Sequence, residues 1–390
     1  MSNRTKIKDK KLKFQRHYSK IEPWQNVSDK EWNDWKWQFK NRIKTVEQLE
    51  KVIKLSEKTK KNINKVLKEL KMAITPYYST LINPTDPDDP IRRQSVPTIN
   101  ELKSYPYEEI DSVMEEDYIQ NKSVIHRYPT KIAFLANEVC PSLCRHCTRR
   151  RLLVAKDYKE ETQPGHIKEL IEYLKEHEEV RDVLITGGDA LSFSNDVLDD
   201  LLKNLYSLEH VEMVRLGTRY PVTLPQRITD DLVQILGQYE PLYVMIQLNH
   251  PREITPEFKL ACKKLADSGI VLGNQAVLLK GVNDDVQLQK RMYELLLQNR
   301  VWPYYLYQCD LSSGMHHFRT PIEMGLKIIE GLIGHTSGPA VPTYIVEAPG
   351  GGGKVPLHPN THMSSASSNK ICLKNFEDKY FSYIEPQEYR

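Results

Sequence analysis

The chain has 390 residues, 39% of them hydrophobic, which is enough for one large catalytic domain with extensions and excludes a wholly disordered protein. Its formal net charge of +3 is close to balanced, which argues against a dedicated nucleic-acid-binding protein. No stretch approaches the roughly 18 apolar residues of a membrane-spanning helix, and no secretory signal is evident, so we expect a cytoplasmic protein without membrane contact.

The N-terminal third divides into two predicted regions. Residues 1–20 are crowded with lysine and arginine and are expected to form a flexible basic arm. Residues 21–125 contain a helical pattern that begins after the capping residue Ser28, and further helical patterns run from 46 to 70. The turn-forming run 83–90 then indicates a linker, and an irregular, charged segment follows it.

From residue 126 to residue 340, short apolar runs alternate with amphipathic helical patterns. The predicted strands are 132–135, 180–185, 211–216, 242–247, 271–276 and 304–308. The predicted helices are 166–175, 197–206, 230–236, 256–266, 286–297 and 322–333. Six strand–helix units in series predict an α/β fold with a parallel sheet that curls into a partial, TIM-like (β/α)6 barrel. Such connections are right-handed, so the carboxyl ends of the strands share one face, where barrels carry their chemistry.

Residues 341–390 form a C-terminal extension. It begins with a predicted strand over 343–347, which runs directly into the glycine-rich loop 350–354. Two short β-like runs follow, over 370–373 and 380–384.

The most informative motif is Cys140-Pro-Ser-Leu-Cys144-Arg-His-Cys147, which follows the first strand of the predicted barrel. Three thiolates on one loop can wrap one face of a compact metal centre. Structural zinc requires a fourth ligand, and His146, placed between two cysteines, would strain such a site. A [4Fe–4S] cluster on three cysteines leaves one iron open, and the C-x3-C-x2-C spacing is typical of radical S-adenosylmethionine enzymes. We therefore predict a [4Fe–4S] cluster on Cys140, Cys144 and Cys147, with zinc or free thiols as the alternatives.

A second motif, Thr186-Gly187-Gly188-Asp189, ends the second predicted strand. Two glycines let a ligand approach the backbone closely, and their amides can receive its polar groups. In radical S-adenosylmethionine enzymes a glycine-rich turn at this place holds the amino group of S-adenosylmethionine. An ordinary strand connection is the alternative interpretation.

The third motif is Gly350-Gly351-Gly352-Gly353-Lys354. A phosphate-binding P-loop is excluded, because Ala348 occupies the place of its first glycine and Val355 follows the lysine instead of serine or threonine. A lysine on a permissive loop can also form a Schiff base with pyridoxal phosphate. A flexible loop with a solvated lysine remains the alternative.

With these motifs in place, the sequence resembles the lysine 2,3-aminomutase family, radical enzymes that also use pyridoxal phosphate. The resemblance extends from about Trp32 to Tyr383. It rests on the strings at 32–38, 73–78, 126–129, 144–151, 273–275, 304–305, 308–311, 335–338 and 348–354. The family is expected to act as an isomerase, an intramolecular aminotransferase, on a small amino acid. A reductant such as flavodoxin or ferredoxin and a homo-oligomeric assembly are the expected partners.

The resemblance also implies roles for individual residues. Lys354 would be the catalytic lysine that binds pyridoxal phosphate, and Arg149 would hold the substrate carboxylate as a two-pronged donor. Asp310 and Glu347 would meet the cationic end of the substrate. The residues expected around the cofactors are Arg127 and Arg219 on the pyridoxal side, and Gly187, Gly188, Asp189 and Gln275 around S-adenosylmethionine.

Several positions depart from the family pattern. Members that act on lysine usually have a second aspartate where this chain has Glu347, so the carboxylate reaches one methylene further. Lys131 stands where an arginine is usual, and the run 246–248 differs from the usual Thr-His-Phe. No cysteine follows Cys372, so we expect no zinc site in the tail, although some members have one.

The resemblance implies an L-lysine 2,3-aminomutase that interconverts L-lysine and β-lysine through a 5′-deoxyadenosyl radical and a pyridoxal-phosphate imine. The alternatives are the same migration on arginine or ornithine, which Glu347 suggests. A glutamate-specific enzyme is disfavoured by the charge of Asp310 and Glu347. From other classes, an iron–sulfur electron carrier would leave Lys354 without a role, and the balanced charge disfavours a zinc-bearing nucleic-acid module.

Overall fold

The computed structural model describes residues 14–155, 165–359, 362–364 and 370–384. The first 13 residues of the predicted basic arm lie outside this range. The prediction of a flexible arm is wrong for residues 14–20, because they pack on the domain. The amide of Arg16 donates to the carbonyl of Thr80 at 3.0 Å, and the ring of Tyr18 stacks on Trp32 with centroids 4.2 Å apart.

Short helices are spaced along the N-terminal region, and longer ones alternate with the strands. They are α1 (Asp29–Trp32), α2 (Trp35–Lys40), α3 (Val46–Glu50), α4 (Glu57–Val66), α5 (Pro76–Ser79), α6 (Pro90–Ser95), α7 (Arg150–Leu153), α8 (Gly165–Glu176), α9 (Asn195–Tyr206), α10 (Tyr220–Thr223), α11 (Asp230–Leu236), α12 (Pro256–Asp267), α13 (Val286–Gln298) and α14 (Ile322–Leu332). Among the described helices, none is long and apolar enough to span a bilayer.

Nine strands form the main sheet, in the order β1 to β9. They are β1 (Val124–Tyr128), β2 (Lys131–Asn137), β3 (Asp182–Gly187), β4 (Met213–Thr218), β5 (Leu242–Ile246), β6 (Val271–Leu278), β7 (Val301–Gln308), β8 (Thr343–Ala348) and β9 (Gly353–Leu357). Neighbours from β2 to β8 pair in parallel, whereas the outer strands β1 and β9 pair antiparallel. A separate antiparallel sheet contains β10 (His362–Ser364), β11 (Lys370–Lys374) and β12 (Tyr380–Ile384).

The predicted α/β class and its six strand–helix units are confirmed, with β8 as a seventh parallel strand. Each amphipathic helix buries one stripe against the sheet. In α9 the stripe is Leu198, Leu201, Leu202 and Leu205, all fully buried, at the spacing of a helix that rests on a sheet. Its start is fixed by Ser194, whose hydroxyl accepts a hydrogen bond from the amide of Val197.

The edge strands β1 and β9 are the elements that the sequence analysis missed. β1 lies in the segment interpreted as irregular, and β9 begins inside the glycine loop. Neither shows the alternation of apolar and polar residues that predicts a strand. They form because β1 directly precedes β2 and β9 closely follows β8, so each folds back on its neighbour as a hairpin. Tyr128 lies opposite Lys131 in the first pair, and Gly353 lies opposite Ala348 in the second.

Candidate active site

The motifs meet at the carboxyl ends of the parallel strands. The segment 138–149, called the cysteine loop below, follows β2, and Gly187 ends β3. Arg219 follows β4, Asp310 follows β7, and the glycine loop follows β8. Because parallel strands present these ends on one face, residues that are far apart in sequence lie around one opening.

The cysteine loop is held by main-chain contacts to the N-terminal helical region. The guanidinium of Arg42 donates to the carbonyl of Cys140 at 2.8 Å. The amide of Leu143 donates to the carbonyl of Ala73, and the amide of Arg145 donates to the carbonyl of Gln94. The N-terminal region therefore acts as a support that shapes the loop, a role which the sequence did not reveal.

A buried ion pair fixes the loop further. Arg145 and Glu101 are fully buried and joined at 2.6 Å, and Arg150 adds a second contact to Glu101 at 2.9 Å. Burial alone would raise the pKa of Glu101, but the two guanidinium groups hold it below its ordinary value. Removing either side of such a pair leaves an uncompensated buried charge.

The thiols of Cys140, Cys144 and Cys147 are placed to hold one metal centre. Burial raises the pKa of Cys140 well above its usual range and that of Cys147 to about 11, so both need a cationic centre to become thiolates. All three cysteines line the same cavity, so they can face one common centre. Three thiolates alone leave the fourth position of a structural zinc site unfilled. The donor set therefore fits an iron–sulfur cluster better than structural zinc.

Gly187 and Gly188 are required by close contact with the start of the cysteine loop. Gly187 has φ +111°, and a Cβ on Gly188 would lie 2.4 Å from the carbonyl oxygen of Val139. The amide of Gly188 donates to the carbonyl of Asn137, and that of Asp189 donates to Val139. The two motifs found separately in the sequence thus form one packed unit.

The carboxylate of Asp189 joins the ends of β3 and β4. It accepts hydrogen bonds from the hydroxyl of Thr218 and the amide of Arg219, both at 2.6 Å, and from the amide of Leu191 at 3.1 Å. Burial raises the pKa of Asp189 to about 6, although these hydrogen bonds favour the ionised form. Its oxygens are engaged by the protein, so the residue shapes the wall of the site.

One cavity collects most of these residues. It is lined by Cys140, Cys144, Cys147, Arg149, Thr186, Gly187, Gly188, Asp189, Thr218, Arg219, Gln247 and Val277, among others. Gln275 lies two residues before Val277 in β6, so its side chain leaves the strand on the same face. Gln247, one of the residues that depart from the family pattern, lies in this wall, whereas Ile246 and Leu248 are buried.

Arg219, which was expected on the pyridoxal side, contacts the cysteine loop. Its guanidinium donates to the sulfur of Cys144 at 2.8 Å, to Gln94 at 2.8 Å and to Glu253 at 2.8 Å. The side chain is buried at the end of β4, and the cysteine loop closes over it. Sequence spacing could not show this, because the partners come from three segments far apart in the chain.

The three successive arginines that begin at the end of the cysteine loop differ in their main partners. Arg150 is bound to Glu101, and Arg151 pairs with Asp111 at 3.2 Å and also approaches Glu115 at 3.6 Å. Arg149 alone lines the cavity, where it contacts Glu115 at 2.6 Å. The three arginines therefore do not form a single anion-binding patch.

Lys354 lies beside Glu347 on the neighbouring strand. The two residues are paired in register between β8 and β9, and their side chains form an ion pair at 2.6 Å. The ammonium also lies over the rings of Tyr128 and Tyr307, at 5.6 and 5.8 Å from their centroids. Its loop requires glycine at Gly353, which has φ +83°.

Asp310, Glu347 and Lys354, the acid–lysine group, share one electrostatic environment. Burial raises the pKa of Asp310 to about 7, with a further contribution from Glu347, while Lys354 opposes the shift. The Lys354 side chain supplies the positive charge that acts on Asp310 and Glu347. A substrate ammonium would bring the same charge to this place. Within the described residues, Arg127 Nη2 and Glu347 Oε2 are buried without a hydrogen-bond partner. These atoms are donors and acceptors that a bound group can use.

Two residues that the sequence analysis did not single out belong to this region. Tyr128 accepts a hydrogen bond from the amide of Lys354 through its hydroxyl at 3.2 Å, which links β1 to β9. Glu115 engages Arg149 from the irregular segment before β1. For Tyr128 its place inside a matched string was an available signal, but nothing in the sequence pattern marked Glu115. Lys131, another departure, lies over the ring of Tyr128 at 4.3 Å.

Comparison with known proteins identifies the family of this chain. Residues 137–288 match a model described as the radical SAM superfamily, and residues 329–390 match one described as lysine-2,3-aminomutase. An L-lysine 2,3-aminomutase of Clostridium subterminale is 47% identical over 95% of this chain and 88% of its own length. A glutamate 2,3-aminomutase of Clostridioides difficile is 44% identical over 91% and 83%. A solved chain, SuiB of Streptococcus suis bound to S-adenosylmethionine, has a TM-score of 0.43 at 14% identity, covering 57% of this chain and 51% of its own.

Proposed function

The chain belongs to the lysine 2,3-aminomutase family, and on that premise we propose that it interconverts L-lysine and β-lysine. It is a radical S-adenosylmethionine isomerase whose cofactors are a [4Fe–4S] cluster, S-adenosylmethionine and pyridoxal phosphate. When bound, these groups supply a radical that removes a substrate hydrogen and a conjugated system that accepts the migrating nitrogen. The protein's own residues bind, orient and shield the reactants.

The cluster would be held by Cys140, Cys144 and Cys147. The three cysteines line one cavity, and the Arg219 guanidinium beside Cys144 favours negative charge on that sulfur. S-adenosylmethionine would occupy the adjoining cavity, with Gly187, Gly188 and Asp189 shaping its wall and Gln275 on β6. The carboxylate of Asp189 needs no positively charged partner from the ligand, because it already accepts hydrogen bonds from Thr218 and Arg219.

Pyridoxal phosphate would be held by Lys354, with Arg127 beside it. The unpartnered Nη2 of Arg127 supplies a donor, and the rings of Tyr128 and Tyr307 form walls next to the lysine amine. The side chain of Lys354 donates to Glu347 at 2.6 Å, and this contact orients the lysine amine within the pocket. These residues fit the group.

The observation that carries the substrate assignment is the acid–lysine group. Two carboxylates from β7 and β8 converge where one cation already lies, so the pocket favours a substrate with a cationic end. Arg149 lines the cavity and can hold the α-carboxylate. A glutamate side chain would add a third acid to Asp310 and Glu347, and like charges in a partly buried site are unfavourable.

Arginine and ornithine are the second candidates, because the longer reach of Glu347 changes the length of the pocket. An electron carrier is disfavoured by the ordered acid–lysine group, for which electron transfer has no use. The deciding experiment is to incubate the anaerobically reconstituted protein with lysine, arginine, ornithine and glutamate separately. Formation of β-lysine supports the proposal, and conversion of glutamate alone would refute it.

The partners follow from the same chemistry. A low-potential reductant such as flavodoxin or ferredoxin would supply the electron. A reducing cytoplasm would keep the loop cysteines from forming disulfides, so that they can bind the cluster. A homo-oligomer is proposed because, among the described strands, β12 pairs on one side only and exposes Tyr380, Phe381, Tyr383 and Ile384. A second copy of this chain is the proposed partner, and light scattering during gel filtration measures the assembly.

A further inference from the structure

The segment 109–118, called the strap below, connects the parts of the active site. The amide of Glu109 donates to the carbonyl of Leu311, beside Asp310. At the other end, the hydroxyl of Tyr118 contacts the carbonyl of Gly351 in the lysine loop at 3.4 Å. Between them, the carbonyl of Val113 accepts a hydrogen bond from Arg127 at 3.2 Å. A segment without regular pattern in sequence is therefore fastened to three separate parts of the site.

Within the strap, Glu115 holds one edge of the Arg149 guanidinium. One carboxylate oxygen accepts from Nε at 2.9 Å and from Nη2 at 2.6 Å, and the other accepts from Nε at 3.1 Å. Thr186, at the end of β3, accepts from Nη1 at 3.0 Å. Both members of the pair are largely buried, with 20% and 11% of their side chains exposed. The guanidinium is therefore fixed in its plane and in its direction.

The donor count shows what this arrangement leaves available. A guanidinium has five N–H groups. Glu115 uses those of Nε and one of Nη2, and Thr186 uses one of Nη1. One N–H on each terminal nitrogen remains, so Arg149 keeps two donors for a carboxylate. Arg149 lines the cavity, so this pair has access to a ligand there.

We propose that Glu115 is a positioning residue that aims these two N–H groups of Arg149 at the α-carboxylate of the substrate. This inference rests on the proposed function, since it takes the substrate to be an amino acid bound through Arg149. Glu115 acts through Arg149 and does not itself contact the reacting atoms. A second consequence concerns charge: Arg149 at 2.6 Å and Arg151 at 3.6 Å neutralise Glu115, which would otherwise repel the incoming carboxylate.

The test uses Glu115→Gln with Glu116→Gln as the matched control. Glu116 is the next residue of the strap, makes its ion pair with Arg151 and has 68% of its side chain exposed. Glu115→Gln should raise KM for lysine at least about tenfold while kcat stays within about threefold, because carboxylate binding is lost equally in ground and transition states. Glu116→Gln should leave both constants unchanged.

Lysinamide, which lacks the carboxylate, separates positioning from general loosening. Its KM should be the same in wild type and Glu115→Gln. Calorimetric binding of lysine repeats the comparison without turnover, and Glu115→Asp, which keeps the charge, should recover part of the affinity. The inference is overturned if KM for lysine is unchanged in Glu115→Gln. It is also overturned if KM falls, because a lower KM would mean that Glu115 competes with the substrate for Arg149. It is also overturned if lysine and lysinamide weaken together.

The outcomes also separate this inference from the proposed function. If the wild type converts lysine and Glu115→Gln behaves like Glu116→Gln, only the positioning role fails. If the wild type converts a different cationic amino acid, the same comparison is made with that substrate and its amide. If it neither binds nor converts any amino acid, the proposed function fails and the role of Glu115 fails with it.

Discussion

The cysteine loop and the acid–lysine group are built by different means. The loop is held by its backbone: amides and carbonyls of Asn137, Val139 and Cys140 are bonded to neighbouring segments, and Gly188 leaves no room for a side chain. The acid–lysine group consists of one side chain just after β7 and one each from β8 and β9, and within the described part of the chain buried polar atoms there lack hydrogen-bond partners. A backbone-held site tolerates little change, whereas a side-chain site can alter its ligand through one substitution.

The largest expected effect is on the backbone-held side. Changing Cys140, Cys144 or Cys147 to Ala should abolish cleavage of S-adenosylmethionine, because each is one of three proposed cluster ligands. Iron content and the visible spectrum of anaerobically reconstituted protein measure the loss directly. Cys262, a buried cysteine of α12, is the control, and its replacement by Ala should leave the iron content intact. Full iron and activity in any loop variant would refute the cluster assignment.

In the acid–lysine group, Lys354→Ala should prevent covalent attachment of pyridoxal phosphate. Lys354 is the amine next to Arg127 and the two tyrosine rings, so its loss removes the nucleophile but not the surrounding pocket. Reduction with borohydride followed by peptide mapping should label Lys354 in the wild type and nothing in the variant. Iron content should be unchanged, which shows that the two sides are independent. A label on another lysine would contradict the assignment.

A pair of glycine substitutions compares the two sides in stability. Gly188→Ala places a methyl group against the Val139 carbonyl and should cost about 3 kcal/mol or more, with loss of iron. Gly350→Ala meets nothing within 4 Å among the described residues but has φ +68°, so it should cost about 1 kcal/mol. Denaturant unfolding of both variants measures the difference. Equal costs would show that the loop is more adaptable than its contacts suggest.

The pH dependence of kcat/KM should originate in the acid–lysine group. Asp310 has a pKa near 7, and it must be ionised to bind a cation, so kcat/KM for lysine should fall as the pH drops below that value. Attachment of a cofactor to Lys354 removes the cation that lowers this pKa, which moves the midpoint upward. Asp310→Asn should lower kcat/KM about 10- to 100-fold, as expected for a charged hydrogen bond, and abolish this pH limb. Persistence of the limb in the variant would assign it to another group.

The smallest expected effect concerns the choice between cationic substrates. Glu347→Asp shortens one acid by a methylene, which should change the ratio of kcat/KM for lysine and arginine about tenfold or more. We expect the wild type to prefer lysine, because Asp310 and Arg149 both match the family pattern. Kinetics with lysine, arginine and ornithine in both proteins decide this. If arginine is preferred by the wild type and lysine gains in the variant, Glu347 sets specificity and the substrate is arginine.

The sequence by itself determined the repeating part of the fold and the positions of the chemical motifs. The strands from β2 to β8 and the helices between them follow from the period of apolar residues, because each must bury one face. The cysteine spacing and the glycine-lysine string are local, so they too could be recognised in one dimension. The resemblance to a family added expected roles for Arg149, Asp310, Glu347 and Lys354, which stay predictions.

Only the tertiary structure decided which side chains meet across long separations. Arg219 was placed beside Cys144, and Glu115 beside Arg149, by packing between segments that no local pattern connects. The strands β1 and β9 formed because a neighbouring strand offered them an edge, not because of their own composition. The physical reason is the same in each case: periodicity and spacing depend on nearby residues, whereas ion pairs and edge strands depend on partners that only the folded chain brings together.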